Sequence, residues 1–119
     1  MDAVAECIFC KIAAGAIPSD LLWNDDEVVA FRDIAPQAPT HILIIPRMHI
    51  DSTLELLPEH ASLVGHLVGV ATILAQRAGY GSLDEGYRLV INTGEKGGQS
   101  VAHLHLHLLG GRQMSWPPG

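Results

Sequence analysis

Apolar residues recur along this chain with two periods, two and 3.6, and the changes of period divide it into elements. Leu21-Leu22-Trp23 and Val28-Val29-Ala30-Phe31 read as paired strands around the polar turn Asn24-Asp25-Asp26-Glu27. A rigid connection, Pro36-Gln37-Ala38-Pro39, leads into a third strand, His41–Ile45. Pro46 terminates it, because proline has no N–H to donate to a ladder. Leu57, Ala61, Val64, Val68, Ala71, Leu74 and Ala78 then recur at helical spacing, with Pro58 suited to the first turn and Arg77 and Gly79 to the end. Tyr87–Ile91 and the segment through Ala102 complete a set of five strands, and Cys7–Ala14 predicts a short helix stopped by Gly15. Strands, one long helix and strands again predict an α+β domain: a five-stranded antiparallel sheet with the helix over one face. No repeat or internal linker interrupts the pattern, so residues 1–119 are expected to form one domain.

The last strand carries the chemistry. Its sequence, Val101-Ala102-His103-Leu104-His105-Leu106-His107-Leu108-Leu109, alternates three histidines with leucines. In an extended chain all three imidazoles leave one face while Leu104, Leu106 and Leu108 enter a core on the other. Imidazole titrates near neutrality and serves as nucleophile, proton shuttle or metal ligand, so a rigid row of three predicts a site. The plain alternative is a solvated strand face that happens to be rich in histidine.

The approach to the row has site-like features too. Asn92-Thr93-Gly94-Glu95-Lys96-Gly97-Gly98-Gln99-Ser100 joins the two last strands. Its glycines permit a close backbone approach and an anion nest, while Ser100 offers a hydroxyl and Asn92 an amide. A Walker loop is excluded by the absence of its Gly-Lys-Ser/Thr ending. A plain glycine-rich turn is the competing reading.

Charge and cysteine content narrow the function. The formal net charge is −6 and no basic cluster exists, which argues against binding a nucleic-acid polymer but leaves room for a mononucleotide in a local pocket. No apolar run approaches the roughly 20 residues of a membrane span. The opening residues Met1–Glu6 lack a basic n-region and an apolar h-region, so a cytoplasmic protein is expected. Two cysteines are too few for a disulfide framework, and the C-x-x-C spacing of Cys7 and Cys10 suggests metal or redox chemistry. Two histidines one residue apart on a strand, with Cys7 and Cys10, make a Cys₂His₂ zinc set conceivable. The other serious reading is attack of an imidazole on phosphorus, which the neighbouring glycine-rich turn favours.

Gly98-Gln99-Ser100 followed by His-x-His-x-His and two leucines resembles the signature of the histidine triad family. Asp33-Ile34-Ala35-Pro36-Gln37-Ala38-Pro39-Thr40-His41, the Ile45-Pro46 and His49-Ile50 segment, and the ending Gly110–Gly119 with Trp116-Pro117-Pro118 are similar to its histidine triad nucleotide-binding (Hint) branch. That resemblance implies a purine nucleotide-binding hydrolase that cleaves the P–N bond of nucleoside 5′-phosphoramidates, such as AMP-linked amines, and requires no catalytic cofactor. It implies His105 as the nucleophile, His107 on the phosphate oxygens, and His103 with His49 orienting the nucleophile. Ser100 would stabilise or protonate the leaving group, and Gly98, Gln99 and Asn92 would hold phosphate. Asp33 would accept from the ribose hydroxyls, and Ile8, Phe9, Phe31 and Ile34 would wall the base. The family's cysteine-bearing members imply that Cys7, Cys10, His49 and His103 hold a structural Zn²⁺, with His41 in reserve; otherwise His41 is expected to be structural.

The resemblance further implies a homodimer in which tail 110–119, with Trp116, reaches the partner. Gly65 and Gly69, four apart on the long helix, fit close approach to another element there. Arg32 and Thr93 depart from the branch's familiar residues, as does the cysteine pair, and these departures bear on substrate preference. Two rival functions remain beside the phosphoramidase: a dinucleoside polyphosphate hydrolase, and a nucleotide-binding regulator without a catalytic role. His60 and His66, on the long helix, are expected to be solvated. Asp33 admits a turn-capping role.

Overall fold

The computed structural model describes residues 6–119; the start of the chain, where a leader would be read, lies outside the described residues except for Glu6. The elements run α1 (Ile8–Ala13), β1 (Leu21–Asn24), β2 (Val28–Arg32), β3 (Thr40–Pro46), α2 (Ala61–Arg77), β4 (Arg88–Val90) and β5 (Leu106–Gly110). All neighbouring strands are antiparallel in the order β1-β2-β3-β5-β4. This is the expected α+β architecture. Among the described residues no helix is long and apolar enough to cross a membrane.

Alternation along β2 and β3 splits the core in two. Val28, Ala30, Ile42 and Ile44 meet Leu67, Val70, Ala71 and Leu74 of α2. Val29, Phe31, Leu43 and Ile45 enter a second cluster with Phe9, Cys10 and Ile12 of α1. Both faces of the central strands are therefore apolar and covered, which explains why these strands read as nearly unbroken hydrophobic runs. The short helix is thus a second layer, where a cover on one face alone was expected.

Two boundaries differ from the sequence reading. The helix begins at Ala61, after 3₁₀ turns at Thr53–Glu55 and Pro58–His60, and its core face is Leu63, Leu67, Val70, Ala71, Leu74 and Ala75. Leu57 and Val68, counted among the helical repeat, are exposed, as is Ile73. Apolar residues surround most of α2, so spacing alone left its rotation open. The strand β5 starts only at Leu106, so His103, in a bend, and His105 lie in the segment ahead of the ladder. The alternation persists: Leu104, Leu106 and Leu108 all enter the α2-side core. The N–H of Leu104 donates to the carbonyl of Ile50 at 2.6 Å, anchoring this segment outside the sheet.

Helix α2 is also tied to the β1–β2 turn. Asp25 Oδ1 accepts from the N–H groups of Glu27 and Val28, while Oδ2 accepts from Trp23 Nε1 and from His66 Nε2 at 2.7 Å. His66 is therefore a tertiary partner, contrary to its expected solvation. His60 Nδ1 accepts from the N–H of Leu57, a local helix-entry contact.

Candidate functional site

His103 and His105 from the segment before β5, His107 from β5, His41 from the start of β3 and His49 from the turn after β3 are brought together. The ring of Phe9 stands edge-on to those of His103 and His105, with centroids 5.9 and 5.1 Å away. His105 and His107 have ring centroids 4.9 Å apart.

Hydrogen bonds determine which nitrogen of each ring carries the proton. His105 Nδ1 lies 2.7 Å from the carbonyl of His103, so it must donate, and a neutral ring then keeps its lone pair on Nε2. For His107 the argument starts two residues away. The N–H of Gln37 donates to His41 Nδ1 at 3.0 Å, so a neutral His41 carries its proton on Nε2. That nitrogen lies 2.9 Å from His107 Nδ1 and donates to it, which puts the proton of neutral His107 on Nε2. His107 Nε2 is buried and has no hydrogen-bond partner among the described residues. Burial, reinforced by the nearby rings of His105 and His41, pushes the pKa of His107 down to about 4, so it is neutral at pH 7. Burial also lowers the pKa of His41, with Asp33 opposing.

The site thus offers one imidazole lone pair and, on the neighbouring ring, one unsatisfied N–H donor. A buried donor without an acceptor is costly, and such groups in native folds call for a specific explanation. An oxygen of a bound phosphoryl group is a suitable acceptor. His41, read as structural, belongs to this chain of contacts and lies away from the cysteines for which it was held in reserve. Its Nε2 is also 3.4 Å from Asp33 Oδ2.

Both rings open onto a cavity of about 560 Å³, which is lined in addition by Ile8, Phe9, Phe31, Asp33, Ile34 and Ser100. The structure therefore brings these residues together as the sequence reading anticipated, although Ile34 is fully exposed and walls the cavity only from its rim. Asp33 spends Oδ1 on the N–H of Ala35, the turn-capping role, and leaves Oδ2 toward His41. Asn92, Gly98 and Gln99 fall outside this lining. The N–H groups of Gly98 and Gln99 donate to the carbonyls of Glu95 and Gly94, so the turn uses them internally. Gly98 takes φ +83°, a conformation suited to glycine. The Gln99 side chain braces the loop, donating to the carbonyls of Asp51 and Val101 and accepting from the N–H of Gly94. These positions shape the loop that presents Ser100.

Behind His105, the side chains of Cys7, Cys10, His49 and His103 converge and are all buried. Sγ of Cys7 lies 3.3 Å from His103 Nδ1, and Sγ of Cys10 lies 3.2 Å from His49 Nδ1 and 3.5 Å from His103 Nδ1. Tetrahedral zinc with ordinary Zn–S and Zn–N bonds requires S···N edges of about 3.5 Å. The outer nitrogens fit as well: His49 Nε2 donates to Asp51 Oδ1 at 2.6 Å and His103 Nε2 to the Pro46 carbonyl at 2.8 Å. Such partners fix the tautomer that leaves Nδ1 free to ligate. Burial lowers the pKa of His103, the Pro46 hydrogen bond opposing, which keeps it a neutral ligand. The four residues fit a structural zinc ion. Asp33, His41 and His107 also converge, but the two rings meet at 2.9 Å, shorter than the edge of about 3.3 Å that two nitrogens on one zinc would need. That contact is a hydrogen bond. The side chains of His49 and His103 belong to the cysteine cluster, and it is the backbone carbonyl of His103 that holds His105.

The sequence and the fold match those of known proteins. The family model described as "Scavenger mRNA decapping enzyme C-term binding" matches residues 6–116. An uncharacterized HIT-like protein of Synechococcus elongatus is 54% identical over 96% of this chain and 97% of its own. The chain belongs to the histidine triad (HIT) family. A 14 kDa zinc-binding protein of Zea mays is 51% identical, the match covering 94% of this chain and 87% of that one. Among solved structures, a HIT family hydrolase from Legionella pneumophila Philadelphia 1 superposes with TM-score 0.92 at 51% identity, covering 96% of this chain and all of that one. A histidine triad protein from Clostridium difficile superposes with TM-score 0.89 at 41% identity, covering 94% and 96%.

Proposed function

We propose that this HIT protein is a purine nucleoside phosphoramidase of the Hint type, cleaving the P–N bond of nucleotide-linked amines. The observation that carries the reading is the opposed polarity of two adjacent rings: a lone pair on His105 Nε2 beside an orphaned N–H on His107. The first suits attack on phosphorus, and the second suits the oxygen on which negative charge builds. In the first step His105 Nε2 bonds to the α-phosphorus as the P–N bond breaks. The departing amine takes a proton from solvent by way of the Ser100 hydroxyl. In the second step water attacks phosphorus, the bond to Nε2 breaks, and one proton returns to solvent. The sum consumes one water and yields a free amine and a nucleoside monophosphate. His41 holds His107 in the donating tautomer, Asp33 offers its second oxygen to the ribose, and Ile8, Phe9, Phe31 and Ile34 enclose the base.

The chain is further inferred to hold Zn²⁺ through Cys7, Cys10, His49 and His103, in keeping with the zinc-binding relatives from Zea mays and Brassica juncea. The ion's role is to clip α1 to the sheet behind His105. A homodimer is inferred from the uncovered side of α2, where Val68 and Ile73 are exposed beside Gly65 and Gly69, and from the exposed Trp116 of the tail. A cytoplasmic location accords with the reducing conditions in which paired thiolates survive. Turnover of an AMP phosphoramidate and of diadenosine polyphosphates by the purified protein tests the reading. A higher kcat/KM for the phosphoramidate supports it; preference for the polyphosphates makes the chain a dinucleoside polyphosphate hydrolase, and turnover of neither makes it a binding protein.

A further inference from the structure

The cavity described above has polar lining residues that the reaction does not use. Seven of its lining residues bear polar side chains, of which His105, His107 and Ser100 are committed to phosphate and Asp33 to ribose. The remaining three are Ser19 and Asp20, on the α1–β1 connection, and Arg32, at the end of β2. Among the described residues none of these three side chains makes a hydrogen bond, and the ion pairs all join a histidine to an aspartate elsewhere. A carboxylate and a guanidinium therefore border one apolar cavity without neutralising each other. The apolar walls, Phe9, Ile12 and Phe31 among them, grip the faces of a flat ring but cannot distinguish one ring edge from another.

We propose that Asp20 and Arg32 read the edge of the nucleobase and select guanine over adenine, a refinement that rests on the nucleotide reading given above. Guanine carries two adjacent donors, N1–H and the N2 amine, and on its other side two adjacent acceptors, O6 and N7. A carboxylate accepts from the first pair, and a guanidinium donates to the second in the bidentate geometry it favours. Adenine reverses the pattern: its N1 is an acceptor that faces a carboxylate unfavourably, and its N6 amine is a donor that opposes a guanidinium. Hypoxanthine keeps N1–H, O6 and N7 but lacks the N2 amine, so it falls between the two. Asp20 and Arg32 are exposed, so water competes for both groups and the discrimination is about tenfold and not thousands.

Calorimetric titration of the full chain with GMP, IMP and AMP tests this, in wild type and in the Asp20→Ala, Asp20→Asn and Arg32→Ala variants. Expected affinities fall in the order GMP, IMP, AMP. Asp20→Ala should weaken GMP several-fold and leave AMP unchanged or tighter, and Asp20→Asn, whose amide can donate to adenine N1, should narrow the gap further. Arg32→Ala should weaken GMP more than AMP. Equal affinities, tighter AMP binding, or a GMP preference that survives Asp20→Ala would overturn the edge assignment and leave the nucleotide site standing. Failure of all three nucleotides to bind wild type would overturn the nucleotide reading with it.

Discussion

His103 and His107 stand two residues to either side of His105, and the difference between them separates scaffold from chemistry. Both are poor proton acceptors, and burial lowers both pKa values. His103 has protein partners on both ring nitrogens, the Pro46 carbonyl on one side and the cysteine sulfurs on the other. Among the described residues His107 has a partner on Nδ1 alone, and its second nitrogen is buried and unmatched. A closed set of contacts stabilises the fold and has nothing left to offer a ligand. An open one keeps a desolvated donor whose cost is recovered only when an acceptor binds.

The contrast predicts different damage on the two sides. The largest effect is expected from Cys10→Ala, which opens the closed cluster. Zinc content should fall well below one per chain, and the melting temperature should drop by roughly 10 °C or more, as for a loss of about 3 kcal/mol in a domain of this size. Elemental analysis with a thermal melt checks this, and full zinc occupancy in the variant would contradict it. On the open side, His107→Ala should lower kcat by about 10²–10³, the usual consequence of removing one donor to developing negative charge. Its zinc content should match wild type. A variant equal to wild type in turnover would show that the orphaned N–H has no task.

His41→Ala tests the relay between these levels. His107 would lose the donor that fixes its tautomer, and kcat should fall on the order of tenfold, as when an outer partner that orients a ring is removed. Nucleotide affinity should change less than kcat. The smallest effect is on stability against pH. The unfolded state takes up a proton at His107 near the ordinary imidazole pKa of 6.5, whereas the folded state does so only near 4. Between those values the unfolded chain binds more protons, so stability falls as pH drops through this window and is fully present above 6.5. In His107→Ala the slope of stability against pH should be shallower there; an unchanged slope would mean that His107 is not held neutral by the fold.

Much of this arrangement was legible from period and residue type. The alternation of His103, His105 and His107 with leucines placed the imidazoles opposite Leu104, Leu106 and Leu108, and that survives although β5 begins only at Leu106 and the imidazole side carries a second core of its own. The pairing of Cys7 and Cys10 pointed to metal or redox chemistry because spacing within one turn is local. The part played by His41 was not legible. Its tie to His107 spans 66 residues and depends on β3 lying next to β5, which no local pattern encodes. The expectation that the N–H groups of Gly98 and Gln99 would cradle phosphate shares this difficulty. Glycine content signals a permissive turn, but only the turn's own hydrogen bonds show those donors already engaged. The rotation of α2 was hidden for the opposite reason, too many apolar positions and no unique stripe.

The most direct test of the central claim, that His105 is the reactive ring between a closed scaffold and an open donor, is rapid-quench intact mass analysis during turnover of a GMP or AMP phosphoramidate. Wild type should show a species heavier by one nucleotidyl group, mapped to His105, and His105→Ala should show neither the adduct nor turnover while retaining zinc. An adduct mapped to another residue, or turnover persisting in His105→Ala, would contradict the account.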